Sequence, residues 1–316
     1  TLRQRLLAIF DAKERIPHVA KHGARYYNFW RDATHVRGLW RRTTLDEDKK
    51  ADPAWETVLD LDKLAAAEDE NWDWKGSDVL RPTYDRALIF LSRGGADAVV
   101  VREFGLDTKE FIPDGFFLPE AKTGASWRNR DTLYVGTDFG PGSLTRSGYP
   151  RIVKEWNRSS TLDEARIVFE GENQDVNVAA TVAHDHGRIY EFVRRRATFF
   201  TNQVYIRHGD AWVRIDKPDD ARVDTFGDQI LLYLRSDWTV GGMTYPAGAL
   251  VSADFEAYLR GDRKLAVLFE PTERKCLEDT SPTKNYLIVN ELENVRNKLY
   301  LLRHHAGQWT REALDA

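Results

Sequence analysis

The sequence predicts an all-β protein that is built from about six copies of a four-stranded unit. The first copy lies between Ala24 and Leu64 and holds three short apolar segments, Tyr26–Trp30, Gly38–Thr43 and Glu56–Leu61. Valine, tryptophan, tyrosine and leucine favour a half-buried pleated surface, and polar loops separate the segments, so we expect three antiparallel strands. Loose copies of this unit recur along the 316-residue chain, and such repetition is typical of a radial or solenoid architecture.

Glycine-containing turns join the strands of the later copies. Gly94-Gly95 and His208-Gly209-Asp210 each lie between two apolar segments, and glycine supplies the positive φ that a tight turn requires. The strands predicted for copies two to six are Ala87–Ser92 and Ala98–Phe104; Thr132–Thr137, Arg151–Trp156 and Ala165–Glu170; Arg188–Arg194, Gln203–Arg207 and Ala211–Asp216; Gln229–Arg235, Ala249–Asp254 and Leu265–Glu270; and Asn285–Glu291, Asn297–Leu302 and Gln308–Leu314.

A shorter, more polar segment precedes each of copies two to six and supplies a fourth strand. These segments are Trp72–Asp78, Phe116–Trp127, Asp175–His184, Ala221–Asp228 and Cys276–Lys284. Four antiparallel strands per unit predict the blades of a β-propeller, in which each sheet buries both faces against its neighbours. A two-sheet sandwich is the alternative, but it does not explain six similar units.

The polar first strand of each blade fits the innermost position, where it would line a central channel. The candidate channel-lining residues are Asp73, Lys75, Glu120, Lys122, Asn177 and Asp224. Large apolar residues of the other strands are expected in the core between blades, among them Trp40, Ile89, Tyr134, Tyr190, Leu232 and Ile288.

The rest of the chain is expected to contain little helix. Residues 1–24 are predicted to form a short helix over Thr1–Asp11, stopped by Pro17, and a lead-in, with the propeller over residues 25–316. Leu45–Lys50, Leu64–Glu70 and Phe255–Gly261 are each expected to form a turn or two of helix. The longest loop, Asp138–Pro150, contains three glycines and is expected to be either flexible or a functional protrusion.

Composition excludes several classes of function. The net charge of −4 and the pI near 6.1 give no global basic field for nucleic acid. A single cysteine, Cys276, excludes an intramolecular disulfide. No apolar run approaches the ~20 residues of a membrane span, and the charged start is unlike a signal peptide, so we expect a cytoplasmic protein without a membrane partner. There is no initiator methionine, so the natural chain is expected to begin earlier.

Several short motifs suggest chemistry, but each has a simpler structural explanation. His184-Asp185-His186 places two histidines on one face of a strand, but spacing indicates no third metal ligand, so we expect solvated histidines. Gly140-Pro141-Gly142-Ser143 lacks the lysine of a phosphate-binding loop. Arg194-Arg195-Arg196 is either a solvated rim or a contact for an anion or partner. We therefore expect no metal and no cofactor.

Four long stretches resemble the N-terminal propeller of bacterial prolyl oligopeptidase family serine peptidases. They are YYNFWRDATHVRGLWRRTTL, PAWETVLDLDKL, LSRGGADAVVVREFGLDT and VGTDFGPGSLTRSGYPRIVKEW, and the similarity spans nearly the whole chain. The resemblance implies a seven-bladed propeller paired with a C-terminal α/β-hydrolase domain, whose Ser-Asp-His triad cleaves short peptides after proline. It also implies that the propeller restricts access to oligopeptide substrates, and that residues near Leu133, Tyr134 and Asp138 contact the peptide.

The sequence departs from the full family pattern in two respects. About six repeats are evident, so the seventh blade and the hydrolase domain are expected to lie outside this sequence. No serine fits the G-x-S-x-G nucleophile motif, and the nearest, Ser126, lies in a predicted strand, so we expect no catalytic residue and no activity in this chain alone. Alternatives are a stand-alone propeller that binds a protein or peptide, or a propeller glycosidase using paired acids on the inner strands, with Asp175 as a further candidate. For Leu133 and Tyr134, packing between blades is the alternative to substrate contact.

Overall fold

The computed structural model describes residues 1–10 and 18–314, and this part of the chain is all-β apart from four short helices. Six main sheets are present, five with four strands and one with five, which confirms the predicted repeats. The chain divides into two compact units. The first unit is Thr1–Asn173 with Val178–Thr181, and the second unit is Gln174–Asn177 with Val182–Ala316.

The first unit holds three sheets whose strands pair mainly in chain order. The first sheet is β1 (Ala20–His22), β2 (Arg25–Trp30), β3 (Leu39–Thr44) and β4 (Glu56–Asp60); the second is β5 (Trp72–Val79), β6 (Arg86–Arg93), β7 (Val99–Gly105) and β8 (Glu110–Phe111), with β9 (Phe117–Ala121) also paired to β7; the third is β10 (Gly124–Asn129), β11 (Thr132–Gly136), β12 (Ile152–Asn157) and β13 (Arg166–Glu170).

The fourth to sixth sheets repeat the same order. The fourth is β14 (Asn177–Asp185), β15 (Arg188–Arg196), β16 (Gln203–His208) and β17 (Ala211–Arg214); the fifth is β18 (Arg222–Phe226), β19 (Gln229–Tyr233), β22 (Leu250–Asp254) and β23 (Ala266–Phe269), with a separate hairpin of β20 (Trp238–Val240) and β21 (Met243–Tyr245); the sixth is β24 (Lys275–Pro282), β25 (Leu287–Glu293), β26 (Arg296–His305) and β27 (Gln308–Leu314).

The short helices begin where a side chain caps free backbone N–H groups. The Asp60 carboxylate accepts a hydrogen bond from the Lys63 backbone N at 3.0 Å, and Asp254 accepts one from Ala257 N at 2.7 Å. The helices are α1 (Leu2–Phe10), α2 (Leu45–Asp48), α3 (Leu61–Glu68) and α4 (Phe255–Leu259). Asp11 and Pro17, the predicted end of the first helix, lie outside the described residues. No described helix has both the length and the apolar character needed to cross a membrane.

Adjacent residues of a central strand belong to different apolar clusters. In β6, Ile89 packs with residues of the first sheet, and Leu88 packs with residues of the third. In β19, Leu232 packs with the fourth sheet and Leu231 with the sixth. All four are at most 1% exposed. Because both faces of such a strand are covered, its sequence is a continuous apolar run rather than an alternating one.

Most predicted core residues are buried, but one is not. Trp40, Tyr134 and Tyr190 are buried, as are Ile89 and Leu232. Ile288 is only half-buried, because the pleat of β25 turns its neighbours Leu287 and Val289 into the core instead, at 1% and 0% exposure.

Three strand assignments from sequence need correction. The short polar strand β1 pairs with β2 through register partners such as Lys21 and Tyr26, although its segment was predicted to be a lead-in. The β20–β21 hairpin lies inside a predicted loop. The segment Phe116–Trp127, predicted as one strand of the third copy, forms two strands: β9 pairs with β7 of the second sheet, and only β10 opens the third.

Candidate functional site

Loops from three neighbouring sheets of the first unit meet at one end of those sheets. We call this surface the loop end and define it by residues 31–38, 69–71, 94–98, 122–123 and 137–151. The Arg37 guanidinium donates a hydrogen bond to Asn71 Oδ1 at 2.6 Å, which joins the first sheet to the second. The Tyr149 hydroxyl donates to Asp97 at 2.9 Å, which joins the third sheet to the second. The loop end is therefore one connected polar surface.

Two predicted channel-lining residues lie beside the loop end and are ion-paired. Asp73 on β5 pairs with the Arg31 guanidinium, and the Lys75 ammonium lies 3.6 Å from the other oxygen of Asp73. Lys75 also donates a hydrogen bond to the Gly95 carbonyl at 2.9 Å. The structure thus brings Asp73 and Lys75 together in one ion-paired group on β5, the first strand of the second sheet. That they line a channel remains a prediction.

A second group of the loop end is centred on Tyr149. The Lys122 ammonium lies 4.0 Å from the centre of the Tyr149 ring and 3.8 Å from the Asp97 carboxylate. The hydrogen bond to Asp97 raises the pKa of the Tyr149 phenol, because deprotonation would place two negative charges side by side. This cation–aromatic–carboxylate group fixes the long loop against the second sheet.

The loop Asp138–Pro150 is tied to itself by hydrogen bonds. The exposed Asp138 accepts hydrogen bonds from Gly140 N at 2.9 Å and Ser143 Oγ at 3.2 Å. Ser143 is 3% exposed and accepts from Phe139 N at 2.9 Å, while Arg151 donates to the Gly142 carbonyl. These contacts argue against the flexible segment, and the functional protrusion remains a prediction.

The three predicted substrate-contact residues differ in exposure. Leu133 and Tyr134 on β11 are 0% and 1% exposed, and Leu133 packs in the core between the second and third sheets. The Tyr134 ring lies 5.8 Å from the Arg128 guanidinium. Burial therefore favours packing for these two residues, and Asp138 is the one whose side chain is exposed to a ligand.

The structure moves Glu120 and Lys122 away from the strand on which they were predicted. Glu120 lies on β9, at the edge of the second sheet opposite to β5, and Lys122 lies in the turn between β9 and β10. The assignment failed because Leu118 pairs with Val101 of β7 and inserts into the core at 0% exposure, which anchors β9 in the second sheet.

The other two predicted channel-lining residues lie on first strands as expected. Asn177 opens β14 and Asp224 lies in the middle of β18. Asp224 accepts a hydrogen bond from Thr225 N at 2.9 Å. That these side chains face a channel remains a prediction.

A cavity of 840 Å³ lies in the second sheet, and its charged wall was not predicted from sequence. Arg93 donates hydrogen bonds to Glu70 at 2.9 Å and to Glu120 at 2.7 Å, and Arg102 donates to Glu68 at 2.7 Å. These partners lie 23–34 residues apart in sequence, so spacing gave no signal. Among the described residues that line this cavity there is no serine, cysteine or histidine, so it holds no nucleophile of the kind that a serine or cysteine peptidase uses.

The histidine motif of β14 is engaged in local contacts. The His186 ring pairs with Asp185 through one nitrogen, and its Nε2 lies 3.0 Å from the Lys284 carbonyl. Among the residues that the structure describes, no group of three or more histidine, cysteine, aspartate or glutamate side chains is arranged to hold a metal ion.

Comparison with known proteins identifies the family. The sequence model of the family "Prolyl oligopeptidase, N-terminal beta-propeller domain" matches residues 1–315. The chain belongs to the prolyl oligopeptidase family. The predicted propeller is thereby confirmed as the fold of this domain.

Individual relatives agree with this family assignment. An uncharacterized peptidase of Sinorhizobium fredii is 35% identical over 96% of this chain and 43% of its own length. An uncharacterized peptidase of Rickettsia prowazekii is 28% identical over 96% of this chain and 45% of its own. The structure of a post-proline cleaving enzyme from Rickettsia typhi has a TM-score of 0.91 and 28% identity, and the match covers 99% of this chain and 48% of that one. The chain spans less than half the length of these relatives.

In this prolyl oligopeptidase propeller, the serine whose neighbouring sequence most resembles the nucleophile motif is part of a strand. Ser126 lies on β10, is 9% exposed, and its hydroxyl stabilises the Asp78 carboxylate. Burial raises the pKa of Asp78, although the hydrogen bond from Trp127 N at 3.0 Å opposes that rise. A buried serine within a strand lacks the exposed strand–turn–helix geometry that a hydrolase nucleophile needs.

Proposed function

We propose that this chain is the gating propeller of a serine endopeptidase that cleaves short peptides after proline, with the catalytic triad on a C-terminal α/β-hydrolase domain outside the sequence. The main support for this proposal is the similarity to the Rickettsia typhi post-proline cleaving enzyme, which is 28% identical over 99% of this chain at a TM-score of 0.91. That enzyme's chain is about twice as long, which leaves room for a second domain of comparable size.

The chemistry of the described residues supports a role in access rather than in bond cleavage. The sequence contains no G-x-S-x-G motif, and Ser126 and Ser143 are both buried. The loop end instead offers a polar surface, in which Arg31 pairs with the neighbouring Asp73 and the Tyr149 hydroxyl donates a hydrogen bond to Asp97. Interfaces between domains that move relative to each other are commonly of this polar kind.

The glycosidase alternative has less support. Asp73 is paired with Arg31, and Glu120 accepts a hydrogen bond from Arg93 at 2.7 Å. Asp175, which is 1% exposed, pairs with the Arg195 guanidinium at 2.7 Å. A glycosidase needs two carboxyl groups that face one glycosidic bond, whereas each of these three carboxylates is bonded to a guanidinium.

The test compares two proteins made from the same gene, the 316-residue chain and the product of the complete reading frame. Both are assayed on a fluorogenic peptide with proline before the scissile bond and on its alanine counterpart. We expect that only the longer protein cleaves, that it prefers the proline peptide, and that a serine-directed inhibitor abolishes cleavage. Inhibitor-sensitive turnover by the 316-residue chain alone would refute the division of roles.

Gating needs a separate measurement on the longer protein. The same cleavage sequence is placed in an octapeptide and in an unstructured chain of about 100 residues. We expect fast cleavage of the octapeptide and little cleavage of the long chain, because a covering propeller admits only short substrates. Equal rates per site would contradict gating while leaving peptidase activity intact.

A further inference from the structure

The second unit contains a cavity of 430 Å³ whose wall carries more positive than negative charge. It lies where β15 and β19 end and where β18 begins, and it includes two members of the predicted basic run. Four arginines and two aspartates contribute charge to the wall: Arg194, Arg196, Arg222, Arg235, Asp220 and Asp224. The formal excess is two positive charges.

The arginines lie close enough to influence one another. Burial lowers the pKa of the Arg194 guanidinium, and the charges of Arg196 and Arg222 lower it further, while Asp224 acts in the opposite direction. Like charges in a partly buried site raise the local potential, and an anion would relieve it. The cavity of the second sheet has the opposite sign of charge, because its wall carries two arginines and four glutamates.

Two phenylalanines form an exposed apolar rim on this cavity. Phe199 and Phe200 are 85% and 79% exposed, yet both line the cavity. Large apolar side chains this exposed on a soluble domain commonly mark a contact surface. An inorganic anion could offset the excess positive charge, but it would leave this apolar rim uncovered.

The rim is held in place by a tight turn. Thr198 Oγ1 accepts hydrogen bonds from Phe200 N at 3.2 Å and from Thr201 N at 3.1 Å. The buried Lys217, which is 7% exposed, donates to the Asn202 carbonyl at 2.8 Å and anchors the end of the turn. Because the turn already orders the backbone of Phe199 and Phe200, the protein loses less conformational entropy when a ligand binds.

We propose that this cavity binds an acidic peptide segment, with a carboxylate among the arginines and an apolar side chain against Phe199 and Phe200. Guanidinium groups match carboxylates in geometry and charge. Because Asp220 and Asp224 reduce the excess to two positive charges, the wall matches one or two carboxylates better than the continuous charge of a polyphosphate backbone. The proposal rests on the proposed function only in choosing a peptide as the occupant.

The test measures fluorescence anisotropy with the 316-residue chain and four labelled octapeptides that share one phenylalanine. One peptide has acidic side chains and an amidated C-terminus, one is neutral with a free C-terminal carboxylate, one is neutral and amidated, and one is basic. Comparison of the first two peptides shows whether the cavity binds a side-chain carboxylate or a terminal carboxylate. We expect a carboxylate-bearing peptide to bind at least about tenfold more tightly than the neutral amidated peptide, since charged hydrogen bonds contribute this much.

Variants locate the binding. Arg196→Gln with Arg235→Gln removes two exposed charges of the cavity, and Arg274→Gln with Arg303→Gln removes two exposed charges elsewhere in the second unit. We expect the first pair to raise Kd about tenfold and the second to change it less than about twofold. Phe200→Ala should also raise Kd. Far-UV circular dichroism and thermal midpoints of all variants verify folding.

Several outcomes overturn the proposal. Equal affinity for the neutral amidated peptide and both carboxylate-bearing peptides, or equal weakening by both arginine pairs, would show that the cavity is not a carboxylate site. Tighter binding of a single-stranded oligonucleotide, lost in the same cavity variant, would assign another occupant. None of these measurements depends on cleavage. Failure here therefore leaves the proposed peptidase role standing, and the enzyme assays with uncharged peptides test that role by themselves.

Discussion

The buried pair of Glu103 and Arg158 makes a sharp stability prediction. Glu103 on β7 is 2% exposed and accepts hydrogen bonds from Arg158 Nη1 at 2.8 Å and Nη2 at 3.1 Å, and from Phe116 N at 2.9 Å. Arg158 also donates to the Arg130 carbonyl at 2.7 Å, and its guanidinium lies 4.3 Å from the Phe116 ring. The pair therefore connects the second sheet to the loop that follows β12.

Arg158→Met should destabilise the first unit by about 2–3 kcal/mol. Removal of one partner from a buried ion pair costs about 3–5 kcal/mol, because the other charge stays buried without compensation. The Arg158 side chain is 30% exposed, so water screens part of the interaction and places the expected cost at or below the lower end of that range. Phe116 N alone would then stabilise the Glu103 carboxylate.

Glu103→Gln should cost less, about 1–2 kcal/mol. The amide oxygen still accepts from Phe116 N, and the partly exposed Arg158 can be solvated. In the double variant, Glu103→Gln with Arg158→Met, no buried carboxylate remains. The double loss should therefore be smaller than the sum of the single losses by about 1 kcal/mol or more.

Urea unfolding followed by far-UV circular dichroism measures these free energies, with Arg303→Gln as an exposed control. Hydrogen exchange provides a local readout, since protection should fall in the peptide that contains Phe116. Stabilities of both single variants equal to the control, or strict additivity in the double variant, would refute the reasoning. Either result would mean that the carboxylate is not effectively desolvated.

Three further predictions concern the core, pH and the loop end. Leu232→Ala should cost about 2–5 kcal/mol because its side chain is 0% exposed, whereas the half-buried Ile288→Ala should cost clearly less in the same urea titration. Burial, and secondarily the Arg81 charge, lowers the pKa of His22 to about 4. As the pH falls, the unfolded chain therefore protonates His22 before the folded chain does. The stability that the neutral His22 contributes is fully present above about pH 6.5 and is lost as the pH falls towards 4. Relative to the His22→Phe variant, the free energy of unfolding of the wild type should fall by about 1–2 kcal/mol across this window, after allowance for solvent screening. Parallel plots of unfolding free energy against pH for the two proteins would contradict this. In the full-length protein of the proposed function, Asp138→Asn should raise KM for a peptide about threefold with kcat unchanged. The exposed control Asp210→Asn should leave KM unchanged. If neither substitution changes KM, Asp138 has only its structural role in the turn.

Local sequence determined the strands whose apolar runs are bounded by turn residues. The turns at Gly94-Gly95 and His208-Gly209-Asp210 lie where β6 and β16 end and where β17 begins, because glycine adopts the positive φ of these turns without strain. Repetition of such runs was sufficient to predict six sheets. It was sufficient because a strand buried on both faces must be apolar at consecutive positions, and that pattern is visible in the sequence.

Local sequence could not assign strands whose partners are distant or whose residues are polar. β1 has three polar or small residues and forms only because β2 offers an unpaired edge. β9 follows the short loop 112–116, and the insertion of Leu118 into the core places it against β7. These choices depend on which edge and which cavity are available after the sheets assemble.

Tertiary structure alone decided which distant polar groups meet. Glu103 meets Arg158 across 55 residues, and Tyr149 meets Asp97 across 52. The cavity with Phe199 and Phe200 joins segments from Arg194 to Arg235. The sequence displayed three consecutive arginines, but it did not reveal that Arg195 would pair with Asp175 while Arg194 and Arg196 line the cavity. Charge pairing depends on distances of a few ångströms, and the packing of sheets sets these distances independently of separation along the chain.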